Sequence, residues 1–208
     1  MTNSLTRFTF TLLILLYACN GSKSTPQTSS ASQQRSPSSS LNTFKAAPQF
    51  SGTNLTNAVF SSSQLQGKVW LAYFFFTSCG GPCPIVTANI ATIQKDIAGK
   101  PLHIVGISVD PDTDTPSVLA AYAKRYNADT TLWRMLQMPL DSVKSVAVQG
   151  FLLPQGDMQN AEHDPNLHST RIVLIDKQGM IRGYFDGTDR EALQRLRAGI
   201  NELLAERL

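Results

Sequence analysis

The sequence predicts an α/β domain with a central mixed β-sheet flanked by helices, on three observations. Residues 69–76 form a near-continuous apolar run with aromatics, the pattern of a strand covered on both faces. A second buried run, 102–109, follows a stretch of helical spacing, which makes a strand–helix–strand unit. Strands at 171–176 and 180–185 flank a Lys177-Gln178-Gly179 turn and read as a hairpin, with a helix after it.

Taken from the N-terminus, the chain of 208 residues begins with an address. Arg7 is followed by an apolar run, 8–17, then Ala18 and Cys19, the layout of an export signal. The run is too short to span a bilayer permanently. Leu16-Tyr17-Ala18-Cys19 resembles the bacterial lipoprotein box, although Tyr17 is larger than the residue usual there. In such a box the cysteine is lipidated and becomes the new N-terminus, and several acyl chains anchor firmly. Ordinary cleavage and an uncleaved anchor are the alternatives to lipidation at Cys19. Each outcome leaves the domain outside the cytoplasm, and lipidation makes it a membrane-anchored lipoprotein of the cell envelope.

Residues 20–47 are rich in Ser, Thr, Gln and Pro, with hardly any large apolar side chains. Such a segment cannot bury enough surface to offset the entropy of ordering and reads as a flexible tether. Residues 48–208 are enough for one domain with a core. Four of the 18 basic residues (Arg7, Lys23, Arg35, Lys45) precede it, which leaves 14 against all 15 acids. The basic balance of the whole chain therefore belongs to the leader and tether. Nothing gathers basic side chains on the domain as a nucleic-acid surface requires.

Inside the domain, the first helix is read from Pro84, with Ile85, Ile90, Ile93 and Ile97 on its apolar face and Gly99 closing it. Thr115-Pro116 is an N-cap and first-turn pair for a second helix, with Leu119, Tyr122 and Tyr126 inward. A third helix runs from Pro139 to about Val148 and stops at Gly150. Thr188 and Glu191 make a capping box for the last helix, whose Leu193, Leu196, Ile200, Leu203 and Leu204 form one stripe. This order of elements is that of a thioredoxin-like domain.

Cys79 and Cys83 sit where the first strand breaks into Gly80-Gly81-Pro82 and a helix begins. Cys83 falls at or beside the N-cap, where unpaired N–H groups and the helix dipole favour a thiolate, the form that attacks disulfides and binds metal. A permanent disulfide is the competing account for two cysteines in an exported protein. A bridge closing so small a loop removes little chain entropy, and a strand–helix junction points instead to reactivity.

Glu162 to Arg171 leads into the strand at 172–175. In a thioredoxin-like fold that strand lies beside the cysteine-bearing one, and the loop entering it passes over the active-site turn. A redox thioredoxin keeps a cis-proline there; this chain has Leu167-His168-Ser169, with Pro165 three residues before His168. An imidazole facing two thiolates suits copper, with Cu(I) favoured by the soft sulfurs, and zinc accepts the same ligands.

Several segments together carry a resemblance to the Sco/SenC family of copper-binding assembly proteins. They are Gly67-Lys68-Val69, Phe76-Thr77-Ser78-Cys79, Cys83-Pro84, Ile107-Ser108-Val109-Asp110-Pro111, Asp114-Thr115-Pro116, and His168-Ser169 leading into Val173-Leu174-Ile175-Asp176. The resemblance implies a thioredoxin-like fold with an inserted hairpin. It implies copper, as Cu(I) or Cu(II), held by Cys79, Cys83 and His168, with a Cys79–Cys83 disulfide in an oxidised form. It also implies a metallochaperone that serves the binuclear copper site of cytochrome c oxidase. The partners are then the copper-site subunit of that oxidase and a thioredoxin-like reductant that keeps the pair reduced outside the cytoplasm. One departure matters: the family usually has Pro directly after the first cysteine, whereas Cys79-Gly80-Gly81-Pro82-Cys83 looks like the thioredoxin motif expanded by one glycine. That raises the rival function, thiol–disulfide exchange with Cys79 and Cys83 as catalytic residues, without displacing the copper reading.

Other candidates read as structural. His163 lies in a polar loop, and His103 alternates with Leu102 and Ile104 in a strand. Asp110, Asp112 and Asp114 lack the glycine and closing Glu of an EF-hand loop. Asp110 ends a strand near the expected site and could orient a ligand, while turn and capping roles account for Asp112 and Asp114. Met135 and Met138 read as core filler, with Met158 a remote candidate for copper.

Overall fold

The computed structural model describes residues 41–153 and 169–206. The export signal with Cys19, tether residues 20–40, and the segment carrying Met158, His163, Pro165 and His168 lie outside the described residues. The elements run β1 (Ser51–Thr53), β2 (Val59–Ser61), β3 (Val69–Phe75), α1 (Cys83–Asp96), β4 (Leu102–Ser108), α2 (Pro116–Arg125), β5 (Trp133–Leu136), α3 (Leu140–Lys144), β6 (Arg171–Ile175), β7 (Ile181–Asp186) and α4 (Arg190–Ala205). Strands β3 to β7 form one sheet in the order β5-β4-β3-β6-β7, and β1 and β2 pair as a separate antiparallel ribbon. β3, β4 and β5 are parallel, whereas β6 runs antiparallel to β3 and β7 antiparallel to β6, so the sheet is mixed as predicted.

All seven residues of β3 are buried because it is the central strand and both of its faces are covered. Val69, Leu71, Tyr73 and Phe75 pack on one side with residues of α1, α2 and α4. Trp70, Ala72 and Phe74 pack on the other with Phe60 of β2, Val143 of α3, and Phe50 and Phe151.

Several boundaries differ from the sequence reading, each for a physical reason. α1 buries Val86, Ile90 and Ile93 at i, i+4, i+7 spacing, and Ile97 follows buried at the C-cap, while Ile85 is 53% exposed. Ile85 is five residues before Ile90 and so falls off that face. β5 carries no alternation long enough to show in the sequence, yet parallel pairing with β4 places its Trp133, Met135 and Leu136 in the core. The helix expected from Pro139 is α3 followed by a π-helical turn, Ser145–Gly150. The N-cap of α4 is Asp189, whose carboxylate accepts from the Ala192 N–H at 2.6 Å; Thr188 instead donates its hydroxyl to Asp186.

The folded body also takes in residues 41–47, assigned by composition to the tether. Phe44 N–H donates to Ile181 O (2.9 Å), Ile181 N–H to Lys45 O (2.8 Å) and Ala47 N–H to Gly179 O (2.8 Å). The edge of β7 supplies backbone partners that local composition cannot reveal. Arg182 pins the same segment, bonding Asn42 O at 3.0 Å while its guanidinium meets buried Asp176 at 3.0 Å. Among the described residues, no helix is long and apolar enough to cross a membrane.

Candidate metal centre

Sheet topology decides which chain ends meet. β3 and β4 are parallel, with Phe75 opposite Ser108, so the residues after both strands leave at the same end of the sheet. β6 is antiparallel to β3, with Tyr73 opposite Ile172, so the residues before β6 arrive at that end too. The turn carrying Cys79, the loop starting at Asp110 and the segment Ser169-Thr170 therefore share one edge. Ser169 is buried, and its Oγ accepts from the Arg171 N–H at 3.3 Å.

Within that edge the two cysteines are held locally. Cys79 N–H donates to Phe76 O at 3.3 Å, closing the turn after β3, and Gly81 N–H donates to Cys79 Sγ at 3.4 Å. Cys83 is the first residue of α1, with Pro84 immediately inside the helix, where a missing N–H costs no helical hydrogen bond. Pro82 takes the N-cap position without a side-chain cap, and its carbonyl accepts from Ile85 and Val86 N–H, both at 3.0 Å. Both cysteines are buried thiols rather than a disulfide, 6% and 3% exposed, and near enough that Cys79 raises the Cys83 pKa.

Burial overturns one expectation. The helix start was to favour a Cys83 thiolate, but desolvation pushes its pKa up to about 12, and the hydrogen bond and charge of Cys79 add to the rise. The Phe76 backbone and the residue's own work the other way without prevailing. A wall of aromatics supplies the apolar surroundings: Phe75 stacks on Tyr73 and Tyr122 with ring centroids 5.3 and 5.2 Å apart. Unmetallated Cys83 therefore rests as a thiol, and a cation is needed to hold it as a thiolate.

Two supports escaped the sequence reading. Asp114, read as a turn residue, is fully buried, and its carboxylate accepts from Thr77 N–H, Thr77 Oγ1 and Ser108 Oγ. The other is a chain of bonds from α1 to the strand entering from position 168. Asn89 Nδ2 donates to Gly187 O at 2.8 Å, and Gly187 N–H donates to Thr170 O at 2.7 Å. A Cβ at Gly187 would sit 2.9 Å from Val86 Cγ1 and 3.0 Å from Thr170 O, so the close approach requires glycine. Asp114 lies in the Asp114-Thr115-Pro116 segment, but nothing local there reveals its bonds to Thr77 and Ser108.

The remaining candidates divide cleanly. His103 pairs with Trp70 at the far end of β3, and burial, with the nearby cations Lys68 and Arg134, lowers its pKa. Asp110 sits at the site edge, its carboxylate accepting from the Thr113 N–H at 3.3 Å, and Asp112 is exposed. Met135 and Met138 are core. Among the described residues, no three His, Cys, Asp or Glu side chains come together as a metal site.

Residues 38–205 match the model of the SCO1/SenC family. The chain is 28% identical over 140 residues to the SCO1 protein homolog of Bacillus subtilis, covering 62% of this chain and 67% of that one. It is 26% identical over 144 residues to a protein of Stutzerimonas stutzeri named for copper binding, covering 67% and 69%. The crystal structure of a SCO1/SenC family lipoprotein from Bacillus anthracis superimposes with a TM-score of 0.68 at 29% identity, over 76% of this chain and 95% of that one. The thioredoxin-like reading of the fold stands on this likeness and on the mixed, helix-flanked sheet. With a family match spanning most of its length, this chain belongs to the SCO1/SenC family.

Proposed function

We propose that this protein is a membrane-tethered copper metallochaperone that holds copper as cargo through Cys79, Cys83 and His168 and serves the binuclear copper site of cytochrome c oxidase. The observation that carries the reading is the meeting, at one sheet edge, of the Cys79–Cys83 turn with the chain that enters β6 directly after His168. Two soft sulfur donors on one turn, near enough to perturb each other, fit a copper ion. A relative named for copper binding, and the description of the Sco family as cytochrome c oxidase assembly proteins, support the same assignment. Cys79 and Cys83 as thiolates and His168 as neutral imidazole would hold the cargo, and cysteines of the oxidase copper-site subunit would take it by ligand exchange. Cys19 would carry the lipid and residues 20–40 the reach above the membrane, with the domain outside the cytoplasm. A likeness to a structure named as a lipoprotein supports the anchor.

The test is an anaerobic titration of the reduced protein with Cu(I) and Cu(II), in a Cys19→Ser background. One saturable equivalent is expected, with sulfur-to-copper charge-transfer bands for Cu(II). Absence of a one-to-one site would remove the assignment.

A second reading, thiol–disulfide exchange, draws on the two buried thiols of one turn and on the Gly80-Gly81-Pro82 between them. His168→Ala separates the two. Loss of copper binding with dithiol exchange intact is the chaperone's result; strong reductase activity in a wild type that binds no copper is the oxidoreductase's.

Proton release gives a further check. Cys83 is protonated up to about pH 12, so copper binding at neutral pH must displace that proton. Apparent affinity should rise about tenfold per pH unit for each proton released. Titrations from about pH 6 to 8 that gave a constant affinity would contradict thiolate ligation by Cys83.

A further inference from the structure

Copper ligation by Cys79, Cys83 and His168 makes no use of Asp114, yet few side chains are placed at greater cost. It has no exposed surface, and burial pushes its pKa up against the hydrogen bonds it receives. Taking a carboxylate out of water is expensive unless its oxygens are bonded. The Asp114 oxygens accept from Thr77 N–H at 3.1 and 3.3 Å, from Thr77 Oγ1 at 2.5 Å and from Ser108 Oγ at 2.6 Å. Its own backbone is fixed by a bond from Asp114 N–H to Asp110 O at 2.9 Å, and Asp110 N–H returns to Ser108 Oγ at 3.1 Å. The carboxylate thus ties the residues where β3 and β4 end, and Thr77 is two residues before Cys79.

Beyond Thr77 the chain is tied by local bonds, Cys79 N–H to Phe76 O at 3.3 Å and Gly81 N–H to Cys79 Sγ at 3.4 Å. Ser78, Gly80 and Gly81 are exposed, and glycine leaves its dihedrals open. The loop hangs between two fixed points, Thr77 at one side and the first turn of α1 at the other. With two glycines between them, the facing of the two sulfurs depends on where those points stand.

We propose that Asp114 is a positioning residue for the dithiol: its carboxylate sets the point at which the chain leaves β3 and so holds Cys79 against Cys83. The inference rests on the Cys79–Cys83 pair being the working site. It adds a residue, distant in sequence, that governs how readily the pair closes to a disulfide and how well it holds copper. Releasing Thr77 would let Cys79 drift from Cys83, which lowers the effective concentration of one thiol at the other and weakens both outcomes.

The test compares Asp114→Asn, Thr77→Val and Ile175→Val in a Cys19→Ser background. Asp114→Asn keeps size but turns one acceptor into a donor, and Thr77→Val removes one hydroxyl bond and keeps the N–H. Ile175→Val is a control, a core change at the Trp70 end of β3, away from the cysteines. The metal-free dithiol–disulfide equilibrium is measured against dithiothreitol for each. The disulfide should be roughly tenfold less stable in Asp114→Asn and Thr77→Val, about 30 mV for this two-electron couple, and unchanged in the control. Cu(I) affinity should fall roughly tenfold in the same two variants. An unchanged equilibrium in folded Thr77→Val and Asp114→Asn, or an equal shift in the control, overturns the proposal. Thr77→Val alone decides it if Asp114→Asn does not fold. Because the equilibrium is read without metal, it is decided independently of whether copper binds.

Discussion

Replacing Cys83 with serine is expected to abolish one-to-one copper binding while leaving the fold intact. A hydroxyl does not ionise near neutral pH and is a hard donor, so it replaces neither the charge nor the softness of a thiolate. Among the described residues no other group can take its place. Cys79 is the only other thiol of the described residues, and none of them forms an alternative cluster of ligands. His103 stands at the opposite end of the sheet. The structural cost should be modest, because the side chains are of similar size and Cys83 begins a helix rather than filling its middle. Anaerobic Cu(I) titration against a competing chelator, with circular dichroism to verify the fold, measures both. Retention of a saturable site within about tenfold of wild-type affinity would mean that Cys83 is not a ligand. Cys79→Ser should give the same loss.

Gly106→Ala is expected to cost about 3 kcal/mol of folding stability. A Cβ at that position would stand 2.7 Å from Cε1, Cζ and Oη of Tyr73. Neither partner can give way easily. Gly106 is in β4, bonded on both sides between β3 and β5, and Tyr73 lies opposite it in β3 with no exposed surface. The Tyr73 hydroxyl is further held by the Trp133 indole N–H at 3.2 Å. Displacing the ring would disturb its stacking on Phe75, in the layer that lines Cys83. Urea unfolding of the reduced, metal-free protein gives the number; a loss under about 1 kcal/mol would show that the ring repacks freely.

Much of the fold is visible in runs of a few residues. The β3 run, the Pro116 start of α2 and the stripe of α4 each declare themselves locally, and each formed as expected. Strand β5 did not, because four residues including Arg134 carry no period of their own and are strand only through β4. The pairing of 41–47 with β7 was hidden for the same reason. At the site, the place of Cys79 and Cys83 was readable from Gly80-Gly81-Pro82, whereas Asp114 was not, since Thr77 lies 37 residues from it. Its use as an anchor is a long-range fact with no local sign.

The state of Cys83 marks the division most clearly. Chain position alone puts it at a helix start, because proline and glycine restrict the backbone locally and leave few alternatives. Whether that thiol is charged depends on how much water and how many apolar neighbours surround it, and those neighbours come from β3, α1 and α2 together. Desolvation is a property of the packed assembly, and here it outweighs the helix start. The order of elements and the cysteine pair could thus be read from the chain. The meeting of its distant ends, the carboxylate beneath them and the protonated resting thiol arise only from packing in three dimensions.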